Sequence, residues 1–197
     1  VLFRSRPSIR LVPRAPNVSA GILLDQCERI ARIVEQLLHV GRRTPGRFAR
    51  FNLGPVVRSV VELLAMQAER SSLALAFHGP EAELLLEGNV DHIQQVVLNL
   101  VNNAMAATGR GGRIDVQVAP TAGGARLVVR DNGAGVPIDL MPYIFDPFVT
   151  TKTRGSGLGL ALVAKIVGDH GGMIECDSVP RRTIFRVLLP KAVQGEN

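Results

Sequence analysis

The sequence predicts an α+β fold, in which helices and strands of one globular domain share a core. Two observations carry this prediction. Some stretches repeat apolar residues at helical spacing, whereas shorter stretches alternate apolar and polar residues as strands do. The chain is also long enough, because 197 residues with 46% hydrophobic content suffice for an ordinary domain and a substantial core.

Composition and charge argue against several classes of protein. No run approaches the ~18 consecutive apolar residues of a membrane span, and no signal-peptide pattern opens the chain, so we expect a soluble, cytoplasmic segment. Cys27 and Cys176 lie far apart, which suggests neither a disulfide framework nor a zinc site. The net charge of +6 comes with one Tyr and no Trp, so we expect a solvated surface and no nucleic-acid partner, with anion binding as the weaker alternative.

The first part of the chain contains one helical pattern. Residues 1–20 have three prolines and no apolar period, so we expect an irregular or artefactual N-terminus, and the missing initiator Met suggests a truncated reading frame. Within residues 21–45 an apolar stripe steps by four and three, as in a helix that packs along another helix. The pattern is short, so a docking helix of a single globule fits equally well. The stripe comprises Leu23, Cys27, Ile30, Val34 and Leu37.

Two more helices are predicted over residues 55–70 and 90–107, separated by a strand at "SSLALAF". Pro55 suits the first turn of the earlier helix. The expected apolar stripes are Val56, Val60, Leu63, Leu64 and Gln67 in the first helix, and Ile93, Val97, Leu100, Ala104 and Ala107 in the second.

The helix over residues 90–107 carries an unusual pair of amides. Asn99 and Asn103 are one turn apart beside the apolar stripe, although asparagine is a poor residue for a helix interior. Amide oxygens are ligands that suit Mg²⁺. Taken alone, the pair fits a structural role better than a metal site.

A polar corner follows the next two predicted strands, "GRIDVQV" and "ARLVVR" with "APTAGG" as the turn. The second strand runs into Asp131 of "DNGAGVP", and a long loop with "IFDPFVTTK" comes next. Loops of this length are usually functional or disordered, and two phenylalanines could anchor this one to the core. We therefore expect a loop ordered by a ligand.

A glycine cluster ends that loop where the next helix starts, near Leu158. Gly155, Gly157 and Gly159 leave backbone N–H groups open at a helix N-terminus, a position that suits phosphate. The cluster fits neither a P-loop, because no Gly-Lys-Ser/Thr follows, nor a dinucleotide fingerprint, because no strand leads directly into it.

These motifs, in this order over residues 91–172, closely resemble the ATP-binding catalytic domain of sensor histidine kinases, within the GHKL superfamily shared by gyrase, mismatch-repair ATPases and a heat-shock chaperone. The resemblance covers residues 22–190, and "NAMAA" and "IFDPFVTTK" are most similar to nitrogen-regulation-like kinases. It implies a two-layer α/β sandwich, the Bergerat fold, whose mixed, mostly antiparallel sheet carries three helices on one face, the third over residues 158–170. The implied organisation is an irregular 1–20, a partial dimerisation helix at 21–45, the catalytic domain at 46–192 and a tail at 193–197.

The resemblance also implies ATP and Mg²⁺ as ligands. Asp131 would accept a hydrogen bond from the adenine amino group, and Asn103 would ligate Mg²⁺ with Asn99 near the phosphates. Thr183 would support the adenine pocket, although the family's Gly-x-Gly-Thr reads "PRRT" here, which puts this residue in doubt. The remaining implied contacts are Gly133 and Gly135 under the base, and Lys152, Gly155, Gly157, Leu158 and Gly159 around the phosphates.

The implied function is transfer of the ATP γ-phosphate to a histidine and then to a response-regulator aspartate, in a homodimer. Asn99 stands where ATP-hydrolysing members carry a Glu that activates water, and an amide cannot serve as that base. No family-like acceptor motif surrounds His39, His78, His92 or His170, so we expect these to be structural or exposed and the chain to be a fragment. Two alternatives remain open, namely a catalytically silent nucleotide-binding module and, less favoured, a GHKL ATPase.

Overall fold

The computed structural model describes residues 48–152 and 155–191, so the predicted units at 1–20, 21–45 and 193–197 lie outside the described residues. Within the described range the chain forms three helices and seven strands. The helices are α1 (Leu53–Arg70), α2 (Val90–Ala107) and α3 (Gly159–Asp169). The strands are β1 (Ala49–Asn52), β2 (Ala74–His78), β3 (Leu85–Gly88), β4 (Arg113–Thr121), β5 (Gly124–Asp131), β6 (Met173–Val179) and β7 (Arg182–Pro190).

The main sheet has five strands in the order β2-β4-β5-β7-β6. Only the β2–β4 pair is parallel, and the other three pairs are antiparallel. The three helices pack on this sheet through a continuous apolar core, while β1 and β3 form a separate two-stranded antiparallel ribbon. The predicted two-layer α/β sandwich with a mixed, mostly antiparallel sheet is therefore confirmed.

Helix α1 begins two residues before the predicted start, and Pro55 lies in its first turn as expected. The predicted apolar stripe is partly wrong, because Leu63 is 69% exposed and Gln67 is exposed as well. The run "VVRSVVELLAM" is apolar on more than one face, so spacing alone could not choose between adjacent registers. The stripe that the core selects is Leu53, Val57, Val60, Val61, Leu64 and Ala68.

Helix α2 has the predicted bounds. Asn89 caps its start, because the side-chain oxygen accepts hydrogen bonds from the backbone N–H groups of Asp91 and His92. The expected stripe is buried from Ile93 to Ala104, whereas Ala107 at the last turn is only partly buried. The neighbouring face, with both predicted asparagines, is therefore turned away from the centre of the core.

The hairpin of β4 and β5 is longer than predicted. Thr121 pairs with Gly124, so the turn consists of two residues, 122 and 123, rather than all of "APTAGG". Strand β5 ends at Asp131, as expected.

Within the described ranges, no helix is both long and apolar enough to cross a bilayer.

The C-terminus of α3 is tied to the start of α2 by a buried histidine. His170 Nε2 accepts the Asn89 backbone N–H at 3.1 Å, and its Nδ1 lies 2.7 Å from the Ile166 carbonyl oxygen. These two contacts match the tautomer that carries its proton on Nδ1. The prediction of a structural or exposed role for His170 is thus confirmed.

Candidate functional site

A cavity of about 290 Å³ lies beside α2, the start of α3 and the long loop after β5. Strands β5 and β7 contribute its inner wall through Asp131, Thr183 and Phe185. All predicted site residues except Gly133 and Leu158 line it. They are Asn99, Asn103, Asp131, Gly135, Lys152, Gly155, Gly157, Gly159 and Thr183.

Asp131 forms one end of the cavity, which we call the carboxylate end. Its side chain is 3% exposed, and its Oδ1 accepts the Gly133 backbone N–H at 2.8 Å. Burial raises the pKa of Asp131 above its ordinary value, and the Gly133 hydrogen bond only partly opposes that shift. Among the described residues no cation pairs with this carboxylate, so its remaining lone pairs can accept hydrogen bonds from a ligand.

The turn that follows Asp131 is fixed by the β6–β7 hairpin. Gly135 has φ +85°, and a Cβ there would lie 3.0 Å from the Val179 carbonyl oxygen. The Arg181 N–H also donates to the Gly133 carbonyl at 2.9 Å. Backbone atoms of the β6–β7 hairpin therefore hold this turn in place.

Gly133 packs closely against the end of α2, and its expected position under a base stays a prediction. It does not line the cavity, and a Cβ there would lie 2.5 Å from the carbonyl oxygen of Ala107 at the end of α2. Leu158 is also outside the cavity and is 1% exposed beneath the start of α3. Both residues support the site from the core.

Thr183 lies beside Asp131 despite the unusual turn before it. The two residues are register partners on β7 and β5, and Thr183 is 3% exposed. The "PRRT" stretch forms a two-residue turn, Pro180-Arg181, in which Arg181 adopts φ +67°. The strand ladder thus places Thr183 next to Asp131, and its role in the adenine pocket stays a prediction.

The opposite end of the cavity, which we call the amide end, contains Asn99, Asn103 and Lys152. Lys152 Nζ donates to Asn103 Oδ1 at 3.0 Å. The surrounding loop desolvates the ammonium, which lowers the pKa of Lys152 although the side chain keeps contact with solvent. The Nδ2 of Asn99 is buried without a hydrogen-bond partner within the described part of the chain. Such an orphaned donor suits a ligand oxygen.

The glycine cluster brings the loop against the start of α3. Gly157 has φ +68°, and its carbonyl accepts the Phe148 N–H at 2.9 Å. A Cβ on Gly159 would lie 3.2 Å from Asn99 Oδ1, so the first turn of α3 approaches α2 closely. The first N–H groups of a helix have no helical partners, and the first turn of α3 lines the cavity through Gly159 and Leu160.

Only one of the two loop phenylalanines anchors the loop. Phe145 packs edge-on against Phe185, with ring centroids 6.5 Å apart, whereas Phe148 is 65% exposed at φ +69°. The positive φ of Phe148 turns its side chain outward where the backbone meets Gly157.

Sequence reasoning missed the apolar wall of the cavity. For Phe185 a signal existed, because it lies two residues after Thr183 on the same face of a strand. The loop members gave no such signal, since irregular backbone has no period. The wall comprises Val136, Leu140, Ile144, Leu160 and Phe185.

Residues 88–193 match the family described as histidine kinase-, DNA gyrase B-, and HSP90-like ATPase, which covers more than half of the chain. The chain belongs to this family. Membership makes ATP the expected ligand of the cavity, and the residues present fit it. A buried carboxylate with free lone pairs suits an amino group, while an orphaned amide donor, an ammonium and open helix N–H groups suit phosphate oxygens.

Relatives within the family are sensor kinases. The sensory histidine kinase/phosphatase NtrB of Rhizobium leguminosarum bv. phaseoli is 41% identical over 187 residues, which is 86% of this chain and 48% of NtrB. The chain thus spans about half the length of the curated relatives it matches.

Two solved structures of the histidine kinase ThkA share the fold. Its nucleotide-free catalytic domain is 35% identical, with a TM-score of 0.69 over 74% of this chain and 96% of that chain. ThkA in complex with the response regulator protein TrrA is 28% identical, with a TM-score of 0.77 over 95% of this chain and 55% of that chain.

Proposed function

We propose that this chain is the ATP-binding catalytic core of a two-component sensor histidine kinase. In this proposal the γ-phosphate of ATP goes to a histidine on a dimerisation helix and then to an aspartate of a response-regulator receiver domain. The main support is a single cavity with a buried acceptor at one end and phosphate-binding groups at the other, in a domain of this family. The names of NtrB and of the ThkA–TrrA complex support the same class of reaction.

The carboxylate end would hold adenine. An ionised Asp131 offers only acceptors, so it favours a base with an exocyclic amino group over one with a carbonyl at that position. The Gly133 N–H fixes one carboxylate oxygen and thereby the direction of the other. The apolar wall would cover the faces of the ring.

The amide end would hold the triphosphate. Lys152 supplies a positive charge, and the first turn of α3 supplies N–H donors. Asn103 Oδ1 would be the protein ligand of Mg²⁺, whose charge, when the ion is bound, offsets that of the phosphate oxygens.

Asn99 favours transfer over hydrolysis. Its amide cannot remove a proton from water at neutral pH, and an imidazole nucleophile needs no such base when it is neutral. ATP would therefore be kept intact until a histidine reaches the γ-phosphate. An ATPase of the gyrase or chaperone kind is the less favoured alternative for this reason.

The accepting histidine would come from a second helical element. None of the described histidines, His78, His92 and His170, lines the cavity, and both ring nitrogens of His170 are engaged in the core. His39 lies outside the described residues. We propose that residues 21–45 belong to the dimerisation element and that the full-length protein acts as a homodimer.

Calorimetric titration with a non-hydrolysable ATP analogue and Mg²⁺ tests the binding half of this proposal. We expect the parent chain to bind and Asp131→Asn to bind about 10- to 100-fold more weakly, because a charge-assisted hydrogen bond is lost. Asp139→Asn, an exposed residue of the loop, is the matched control and should bind like the parent. Equal binding by all three proteins would contradict the assignment of Asp131.

Phosphotransfer is tested separately, by incubating the chain with γ-labelled ATP and a dimerisation hairpin that carries an accepting histidine. An acid-labile, base-stable label on the hairpin is expected, with no release of free phosphate by the chain alone. ATP binding without any label would favour the silent nucleotide-binding module. Free phosphate from the chain alone would favour the ATPase.

A further inference from the structure

A side chain outside the cavity connects both parts of its carboxylate end. Ser178 on β6 does not line the cavity, yet its Oγ accepts the Val136 N–H at 2.8 Å and lies 3.1 Å from Thr183 Oγ1. Val136 follows directly on the turn after Asp131. Ser178 therefore contacts the backbone of that turn and the side chain of Thr183 at the same time.

The strand register puts three polar side chains in one row. Ser178 pairs with Thr183 between β6 and β7, and Thr183 pairs with Asp131 between β7 and β5. Residues paired in this way point to the same face of the sheet, with Cβ atoms about 5 Å apart. The row continues inward from Ser178 through Thr183 to the buried carboxylate.

Counting protons and lone pairs shows which of the two hydroxyl groups donates to the other. Ser178 uses one lone pair for the Val136 N–H and keeps one proton to donate. Thr183 has one proton, which is electrostatically favoured on the side of the ionised Asp131. The consistent arrangement is that Ser178 donates to Thr183, which leaves the single Thr183 proton free to point into the cavity beside Asp131.

We propose that Ser178 is a positioning residue for base recognition, which orients the Thr183 hydroxyl as a hydrogen-bond donor beside the Asp131 acceptor. This inference rests on the proposed function. An acceptor next to a donor matches the edge of adenine that carries the 6-amino group and ring N1, whereas guanine presents the reverse order on that edge. Ser178 thus contributes to the choice of base without touching it.

The experiment measures binding of three nucleotides to the 197-residue chain by calorimetry. The probes are ADP, 1-deaza-ADP, which lacks the N1 acceptor, and purine riboside diphosphate, which lacks the 6-amino group. The parent should prefer ADP over both analogues. Ser178→Ala should lose most of the preference over 1-deaza-ADP, about three- to tenfold, as expected for one neutral hydrogen bond. It should retain the preference over purine riboside diphosphate, because Asp131 is unchanged.

Further variants separate positioning from structure. Ser178→Thr keeps the hydroxyl and should restore the N1 preference, and Ser59→Ala, on the exposed face of α1, should behave like the parent. Thr183→Val should likewise lose the preference for ADP over 1-deaza-ADP. The double variant with Ser178→Ala should show no larger loss than Thr183→Val alone.

The proposal is overturned if Ser178→Ala weakens the binding of all three nucleotides by the same factor, since that is what a purely structural role predicts. It is also overturned if the parent binds ADP but does not distinguish it from 1-deaza-ADP, in which case ATP binding still stands. If the parent binds none of the three nucleotides, the proposed function itself fails.

Discussion

The two ends of the cavity are built in different ways. The carboxylate end is made by the neighbouring strands β5, β7 and β6, and backbone hydrogen bonds hold the turn after Asp131 from behind. The amide end is made by side chains of α2 and a loop, and its charged group, Lys152, contacts another member of the site, Asn103. A strand ladder fixes geometry before a ligand arrives, whereas a side-chain contact between site residues must change when the ligand replaces it.

This difference suggests a division of labour. The carboxylate end is preorganised and should discriminate between bases, because rigid donors and acceptors reject a mismatched partner. The amide end should adapt to the triphosphate, and the Asn103 oxygen proposed for Mg²⁺ is satisfied by an ammonium in the free protein. Substitutions at the two ends should therefore have different consequences.

The largest expected effect is on stability, from the same substitution made at each end. Gly133→Ala should lower the free energy of unfolding by about 2–3 kcal/mol, because its Cβ would meet the Ala107 carbonyl, which the end of α2 holds in place. Gly155→Ala should cost less than about 1 kcal/mol, because the nearest atom is the exposed Thr150 hydroxyl. Denaturant unfolding measures both. Equal losses would contradict the contrast between a rigid and an adaptable end.

The next effect separates charge from base recognition. Lys152→Met should weaken binding of the ATP analogue about tenfold, since one charge-assisted contact to phosphate is removed. Binding of adenosine, which has no phosphate, should not change. Lys191→Met, exposed at the end of β7, is the control, and a loss of adenosine affinity in Lys152→Met would show that this residue also shapes the base pocket.

A smaller effect concerns the stability of the free protein and its dependence on pH. The pKa of Asp131 is raised in the folded state, so the folded protein holds that proton more tightly than the unfolded chain does. Ionisation of Asp131 therefore lowers stability as pH rises from the unfolded pKa through the folded one. Asp131→Asn removes this cost and should raise the melting temperature slightly at pH 7, with the gain shrinking toward pH 4. A lower melting temperature at pH 7 would contradict it.

The smallest effect tests the tight hairpin behind the carboxylate end. Arg181→Gly should stabilise the protein by about 0.5 kcal/mol, because glycine adopts φ +67° without strain, and this gain exceeds the added entropy of the unfolded chain. Arg182→Gly, the next residue and the first of β7, should instead destabilise by about 0.5–1 kcal/mol. If Arg181→Gly were the more harmful of the two, the arginine side chain would have a role that its backbone conformation does not explain.

The sequence by itself predicted the three helices, the strand at β2, the β4–β5 hairpin and nine of the residues that line the cavity, but not the β1–β3 ribbon. Helix α2 has its predicted bounds because a sustained apolar period and a capping Asn89 agree on them. Asp131 was recognisable through the resemblance to the kinase family, because its Asp-x-Gly-x-Gly corner stands in order between the asparagine helix and the glycine cluster. The amide pair of α2 followed from helical spacing alone, because residues four apart share a face.

Only the tertiary structure decided which atoms hold the site together. Residue spacing could not show that the Ala107 carbonyl leaves no room for a side chain at position 133. It could not show either that α1 buries Val57 and exposes Leu63, or that Ser178 contacts Thr183. Each of these depends on contacts between segments far apart in the chain or on a choice between nearly equivalent helix faces. Local patterns encode the direction of a side chain within its own element, whereas its partner is set by how the elements pack.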